Sequence, residues 1–297
     1  MSWHEISITG SKSEVDTVTS ALEKQGALAV TYKDGEDNPI FEPSPQEVNL
    51  WDKVVTTGLF PIDCDLEEIT LYLNKICPTC FISYQPLVDK NWTTAWLEHF
   101  KPQKFGNSLW VCPTQSLEAP DACFEGTVVA LDPGLAFGTG QHPTTKLCLE
   151  WLASNKLDDK AIIDFGCGTS ILAISALKLG AMIAYGIDHD DQAILSSQMN
   201  AEKNALNADQ LKLYTSVDPA IPACELIVAN ILMNPLLSLA PILADLCLPG
   251  GTILLSGLLE TQADGILDCY KAWFDFKPYC VDNGWILLVG TKRPLIA

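Results

Sequence analysis

The chain has 297 residues, 48% of them hydrophobic, with 19 glycines and 18 prolines, which suits two globular domains or one with a large extension and excludes a disordered chain. Its 18 Lys and Arg face 37 Asp and Glu, a formal net charge of −19, and Arg293 is the single arginine; the basic clusters that grip nucleic acid are missing, so no nucleic-acid partner is expected. The start is interrupted by His4, Glu5, Lys12 and Glu14 before any apolar signal core, so the eleven cysteines are expected as reduced thiols filling core positions in a cytoplasmic protein.

The first 86 residues alternate strand and helix signals without a glycine-rich nucleotide turn. Residues 3–9 read as a strand, 13–25 as a helix with Val15, Val18 and Leu22 on its apolar face, and 28–32 as a second strand closing on Asp34-Gly35. A third strand over 53–59, a second helix over 66–75 with Asp65, Glu67 and Glu68 at its start, and a fourth strand over 81–86 follow. The order β-α-β-β-α-β predicts a ferredoxin-like α+β sandwich, a fold that commonly offers a face to a macromolecule. Residues 1–100 hold six lysines against sixteen acidic residues, which suits attraction of a basic partner. Cys77-Pro-Thr-Cys80 has metal or redox spacing, but no second half-site accompanies it and no metal is expected.

Residues 87–103 read as a linker, a polar helix over 89–100 with Trp92 and Trp96 as packing anchors, stopped before Pro102. Short strands at 109–112 and 127–131 lead into Asp132-Pro-Gly-Leu-Ala-Phe-Gly-Thr-Gly-Gln-His-Pro-Thr-Thr145, whose glycines imply a loop that must approach something closely. Pro143 and Thr144 then open a helix through Trp151. From Ala161 the alternation is regular, with strands near 161–164, 183–187, 211–214, 225–229, 252–256, 276–282 and 285–291. Helices between most of them imply a parallel sheet, and Asp282-Asn283-Gly284 joins the last two strands as an antiparallel hairpin. The uncharged stretch 226–244 holds Asn230, Asn234, Pro235 and Pro241, so it reads as a buried strand, a turn and a helix, and no membrane partner is expected.

The most informative segment is Asp164-Phe-Gly-Cys-Gly-Thr-Ser170, set between the apolar Ala161-Ile-Ile163 and a helix-like run from Ile171 to Lys178. Twenty residues beyond Gly168 a second apolar run ends in Asp188, where a nucleotide-binding sheet places a carboxylate for ribose hydroxyls. A dinucleotide pyrophosphate needs Gly-x-Gly-x-x-Gly, and here the third glycine position is Ile171. Asp164 would repel a pyrophosphate but suits a cofactor bearing positive charge. S-adenosylmethionine, a sulfonium with an ammonium tail, fits both facts.

Several motifs together resemble the ribosomal protein L11 methyltransferase (PrmA) family over essentially the full length. They are Asn91-Trp92 through Leu97, Phe100-Lys-Pro102, the Asp132 to Thr145 segment, Asp164-Phe-Gly-Cys-Gly168, Gly186-Ile-Asp188 and Val228-Ala-Asn-Ile-Leu232. Phe137-Gly-Thr-Gly-Gln-His-Pro-Thr-Thr145 is the specific element, since the glycine turn and the acid occur in methyltransferases generally. The resemblance implies an α/β class I methyltransferase, with a Rossmann-like seven-strand sheet in a catalytic domain over 104–297, a substrate-recognition domain over 1–86 and a linker helix over 87–103. It implies a monomer that transfers methyl groups from S-adenosyl-L-methionine to lysine side chains and the N-terminal amine of ribosomal protein L11. Thr145, Gly166, Asp188 and Asn230 would contact the cofactor, with Phe137, Asp164 and Gly168 beside it. The family's turn continues with a third glycine where this chain has Thr169-Ser170, and the serine is expected to leave the turn intact and cap the helix.

Methyl transfer from a sulfonium is an in-line displacement, so the protein mainly aligns donor and acceptor and excludes water. Asn230 is followed by Ile-Leu-Met233, without the prolines and aromatic ring that would stack on a planar base. An aliphatic amine is the better acceptor, its hydrogens oriented by the Asn230 carbonyl. Lysine at pH 7 is neutral in only about one molecule in two thousand, so the site must remove a proton by desolvation, water or a base. His142 reads as a loop-to-backbone contact rather than that base, and Phe137 as a cover over the cofactor. An NAD oxidoreductase, a methyltransferase acting on another protein or a small molecule, and a non-catalytic cofactor-binding module are the alternatives; a P-loop enzyme is excluded because no Gly-Lys-Ser or Gly-Lys-Thr follows the glycines.

Overall fold

A computed structural model describes residues 2–36, 38, 40, 50–88, 100–119, 123–132 and 140–294. All of the expected linker helix before Phe100, with Trp92 and Trp96, and Phe137 lie outside them. The chain divides into two compact units, Met1–Trp92 and Thr93–Ala297.

The first unit runs β1 (Ser2–Ser11), α1 (Val15–Lys24), β2 (Ala29–Asp34), β3 (Lys53–Pro61), α2 (Leu66–Ile76) and β4 (Phe81–Val88). The sheet order is β2-β3-β1-β4 with every pair antiparallel, the split β-α-β arrangement of a ferredoxin-like sandwich. Val15, Val18, Ala21 and Leu22 form the buried stripe of α1, at the spacing that keeps apolar side chains on one helical face. Val18, Ala21 and Leu22 meet Ile6, Ile8, Phe60, Ile69 and Leu73 in a core drawn wholly from this unit. Asp65 caps α2 by accepting from Glu68 N–H at 3.0 Å, worth about 1 kcal/mol. Cys80 Sγ lies 3.6 Å from Glu14 Oε1, and burial, together with that carboxylate, pushes its thiol up to about 11, far from a reactive thiolate.

The second unit opens with β5 (Gln103–Phe105), β6 (Leu109–Cys112), the short α3 (Thr114–Leu117) and β7 (Thr127–Ala130); β5, β6 and β7 form a small sheet of their own. Then come α4 (Pro143–Ser154), β8 (Ala161–Phe165), α5 (Ile171–Lys178), β9 (Ile183–Ile187), α6 (Asp191–Lys203) and β10 (Leu211–Tyr214). β11 (Cys224–Asn230), α7 (Met233–Leu246), β12 (Cys247–Leu259), α8 (Ala263–Tyr270), β13 (Phe274–Phe276), β14 (Cys280–Asp282) and β15 (Trp285–Lys292) complete it. The large sheet has the order β10-β9-β8-β11-β12-β15-β13, with β14 also pairing β15. Its first five strands are parallel and β15 runs antiparallel to β12.

The single strand expected over 276–282 is two pieces, β13 and β14, on the same partner. Between them Pro278 has no N–H to give the ladder, although Lys277 N–H still reaches Val289 O at 3.0 Å. Both faces of the sheet are covered, which is why its central strands are mostly apolar. Ile162, Val228 and Leu254 pack with Leu149, Leu152, Ile171 and Ile174 of α4 and α5. Ile163, Ile227 and Ile253 pack with Leu236, Leu243, Ile266 and Tyr270 of α7 and α8. Among the described residues no helix is long and apolar enough to cross a membrane.

Candidate active site

Parallel pairing puts Asp164 level with Gly186 on β9 and with Val228 on β11. Gly166, Asp188 and Asn230 each lie two residues further on, so three adjacent strands, spaced about 4.8 Å apart, present them at one edge. That edge is the carboxyl end of the sheet, at the point between β8 and β11 where the strand order reverses and open α/β sheets bind their ligands.

The turn after β8 is shaped by backbone. Gly166 and Gly168 have φ of 72° and 55°, the left-handed region that glycine enters without penalty. A Cβ on Gly166 would lie 2.3 Å from Ile231 Cγ2, so any side chain there collides with the residue after Asn230. Gly166 and Cys167 donate their N–H groups to Ile187 O at 2.8 and 3.1 Å, tying the turn to the end of β9. Gly168 N–H reaches Asp188 Oδ2 at 2.9 Å, and Asp188 Oδ1 accepts from Asp190 N–H at 3.1 Å. Each carboxylate oxygen thus holds one backbone donor and retains a lone pair.

Ser170 occupies the N-cap position of α5, but its side chain does not cap the helix. It sits in the left-handed region, φ 57° and ψ 26°, and makes no capping bond; its Oγ instead donates to Ser197 Oγ at 2.7 Å. The helix donor is met from the sheet, where Asp164 Oδ2 accepts from Ala173 N–H at 3.0 Å. Asp164 is 1% exposed, and burial, with the nearby Asp188 charge, pushes its carboxyl up to about 7. Its carboxylate therefore faces the start of α5.

The N-terminus of α4 stands over the same edge. Asn230 Nδ2 donates to Thr145 Oγ1 at 3.2 Å, and Ser256, level with Asn230 on β12, donates from Oγ to Thr144 O at 3.4 Å and Ile286 O at 2.9 Å. His142 is the N-cap of α4, with Nδ1 accepting from Thr144 N–H at 3.4 Å and 2.8 Å from Thr144 Oγ1. Burial lowers its pKa, which suits an acceptor nitrogen and a structural role. The residues that sequence reading overlooks are Ser197 and Asn200 on α6 and its C-cap Asn204, all buried. Their only signal is a polar stripe at helical spacing, which ordinarily faces water.

The strand order, the glycine turn against the β11 end and the acid after β9 define a class I S-adenosylmethionine-dependent methyltransferase. The model of the family described as ribosomal protein L11 methyltransferase (PrmA) matches residues 2–293. A ribosomal protein L11 methyltransferase of Pasteurella multocida is 44% identical over 98% of this chain and 99% of its own length. One of Shewanella woodyi is 45% identical over 99% of this chain and all of its own. The crystal structure of a ribosomal protein L11 methylase from Lactobacillus delbrueckii superposes with a TM-score of 0.59 at 28% identity, covering 66% of this chain and 100% of that one. The chain belongs to the ribosomal protein L11 methyltransferase family.

Proposed function

We propose that this enzyme methylates amino groups of ribosomal protein L11, lysine side chains and the N-terminal amine, at the edge formed by Gly166, Asp188, Asn230 and Thr145. The observation that carries this reading is the common row of Gly166, Asp188 and Asn230 on adjacent strands, closed by the bond from Asn230 to Thr145. The donor set suits the cofactor: a bare glycine backbone for the methionine part, and an acid with lone pairs to spare for the ribose hydroxyls. When bound, S-adenosylmethionine supplies an electrophilic methyl group on a sulfonium.

The chain's own part is alignment. With Nδ2 engaged by Thr145, the Asn230 side chain is held so that Oδ1 accepts an N–H of the amine and turns its lone pair toward the methyl. An ammonium must first lose its proton, and transfer into the partly buried edge favours the neutral form. Asp164 supports the site from below by fixing the start of α5, and Gly168 by holding Asp188. Residues 1–86 act as the recognition module, their acidic balance drawing in a basic ribosomal protein, and residues 87–103 link that module to the catalytic unit.

Binding and transfer are tested together. S-adenosylmethionine, and not NAD, is expected to raise the thermal midpoint, and label from its methyl group should pass to purified L11. Stabilisation by NAD alone, or label that never reaches L11, overturns the proposal.

A further inference from the structure

Helix α6 carries Ser197 and Asn200 on one stripe, continued by its C-cap Asn204, exposed to 0%, 0% and 6%. A buried amide is unfavourable unless its donor and acceptor are both met, and these are. Ser197 Oγ donates to Gly168 O at 2.8 Å. Asn200 Nδ2 donates to Thr169 O at 3.3 Å, while its Oδ1 accepts from Asp132 N–H at 3.2 Å. Asn204 closes on β7, accepting from Ala130 N–H at 2.9 Å and donating to Ala130 O at 2.7 Å. Lys203 adds a 2.9 Å ion pair to Asp132, whose carboxylate also accepts from Thr114 N–H at 3.1 Å.

Asn200 differs from its neighbours on the stripe. One face of its amide holds the glycine turn at Thr169, and the other holds Asp132, the first residue of the segment that ends at Thr145. α6 itself begins just after Asp188, with Asp190 as its N-cap. We propose that Asn200 is a positioning residue of the methyl-transfer site, locking the turn of Gly166 to Thr169 against the root of the segment that delivers Thr145. This rests on the cofactor reading above. The planar amide is the group suited to the task, because it holds an NH2 donor and a carbonyl acceptor in fixed relation on one rigid plane. Aspartate in its place keeps the acceptor for Asp132 N–H but sets a carboxylate against the Thr169 carbonyl. Loss of the donor removes the tie at Thr169 O from the turn on which Gly168 N–H meets Asp188, leaving Ser197 to hold it at Gly168 O.

The test uses the full-length enzyme, titrating S-adenosylmethionine by calorimetry and recording the thermal midpoint of each variant. Asn200→Ala and Asn200→Asp are expected to weaken binding roughly tenfold or more. Asn204→Ala, which removes buried bonds to Ala130 and to Asn200 O at the C-cap of the same helix without touching the turn, should lower the midpoint yet keep affinity within about twofold. With cofactor saturating, KM for L11 should stay at its wild-type value in the Asn200 variants. If they weaken cofactor binding no more than Asn204→Ala at a matched loss of midpoint, Asn200 is a stability element and the proposal fails. Should Asn200→Ala not fold, Asn200→Asp decides by the same criterion. Asp188→Ala, run alongside, separates the two failures: unchanged affinity there overturns the placement of the cofactor at the Asp188 edge, and with it this proposal.

Discussion

Asn230 donates to Thr145 Oγ1 across 3.2 Å, joining the end of β11 to the first turn of α4 over a sequence separation of 85 residues. The bond fixes the amide plane of Asn230, so that removing either partner disturbs the same geometry. Asn230→Ala should lower kcat by roughly a hundredfold, a larger loss than the one in cofactor affinity. Thr145→Val, which keeps the shape and removes the hydroxyl, should lower kcat in the same sense. The double variant should then be no worse than the poorer single one, since the two act as a unit. Steady-state kinetics on L11 checks this, and strictly additive losses would show that the two residues act separately.

Asp188 holds Gly168 and Asp190 through opposite oxygens. Asp188→Ala should weaken S-adenosylmethionine binding by about 1.5–3 kcal/mol, the value of hydrogen bonds to a charged group, with the fold retained in circular dichroism. Calorimetric titration gives the figure directly. Undiminished affinity would reduce Asp188 to a support for the turn.

Asp164 makes stability depend on pH. Its folded carboxyl is pushed up to about 7, above the value of about 3.9 for an exposed aspartate, so the native state binds the extra proton between those limits. The stabilisation is full below the lower limit and is lost as pH rises through the upper one. Asp164→Asn keeps an oxygen for Ala173 N–H and carries no charge. Its thermal midpoint relative to wild type should therefore climb from about pH 5 to about pH 8. A constant difference across that range would contradict a buried, titrating carboxylate.

The first unit's core is drawn from residues 6–82, and the second unit's two cores from residues 100–288. A chain lacking residues 1–86 is therefore expected to fold and bind S-adenosylmethionine within a few-fold of wild type, yet to lose methylation of folded L11. In the intact enzyme KM for L11 should rise with salt, as screening shortens the reach of the acidic surface to about 10 Å at 0.1 M, while KM for the cofactor stays flat. A truncated, folded enzyme that methylates L11 at the full rate would refute the recognition role.

What the sequence makes legible is mostly local. The strand, turn and helix from Ala161 to Lys178 can be read because glycine φ and apolar runs are properties of neighbours, and the acid after β9 follows from repeat length alone. The break at Pro278 needed only attention to the missing N–H. Other features depend on partners far along the chain. Asp164 is expected beside a cofactor bearing positive charge, and the sequence alone does not show that its Oδ2 also accepts from Ala173 N–H, because that direction depends on the fold. Ser170 read as a cap, but its left-handed backbone turns the hydroxyl to Ser197, 27 residues away. Asn200 gave no sign of burial, because polar residues at helical spacing look the same whether water or a glycine turn lies opposite.

The decisive measurement is intact-mass and peptide-mapping spectrometry of L11 after incubation with the purified enzyme and S-adenosylmethionine, alongside Asn230→Ala and Asp188→Ala. Wild-type enzyme should add methyl groups to lysine side chains and the N-terminal amine, and both variants should add them far more slowly. Unmodified L11 under conditions where the enzyme binds its cofactor, or methylation that both variants perform at the wild-type rate, would contradict it.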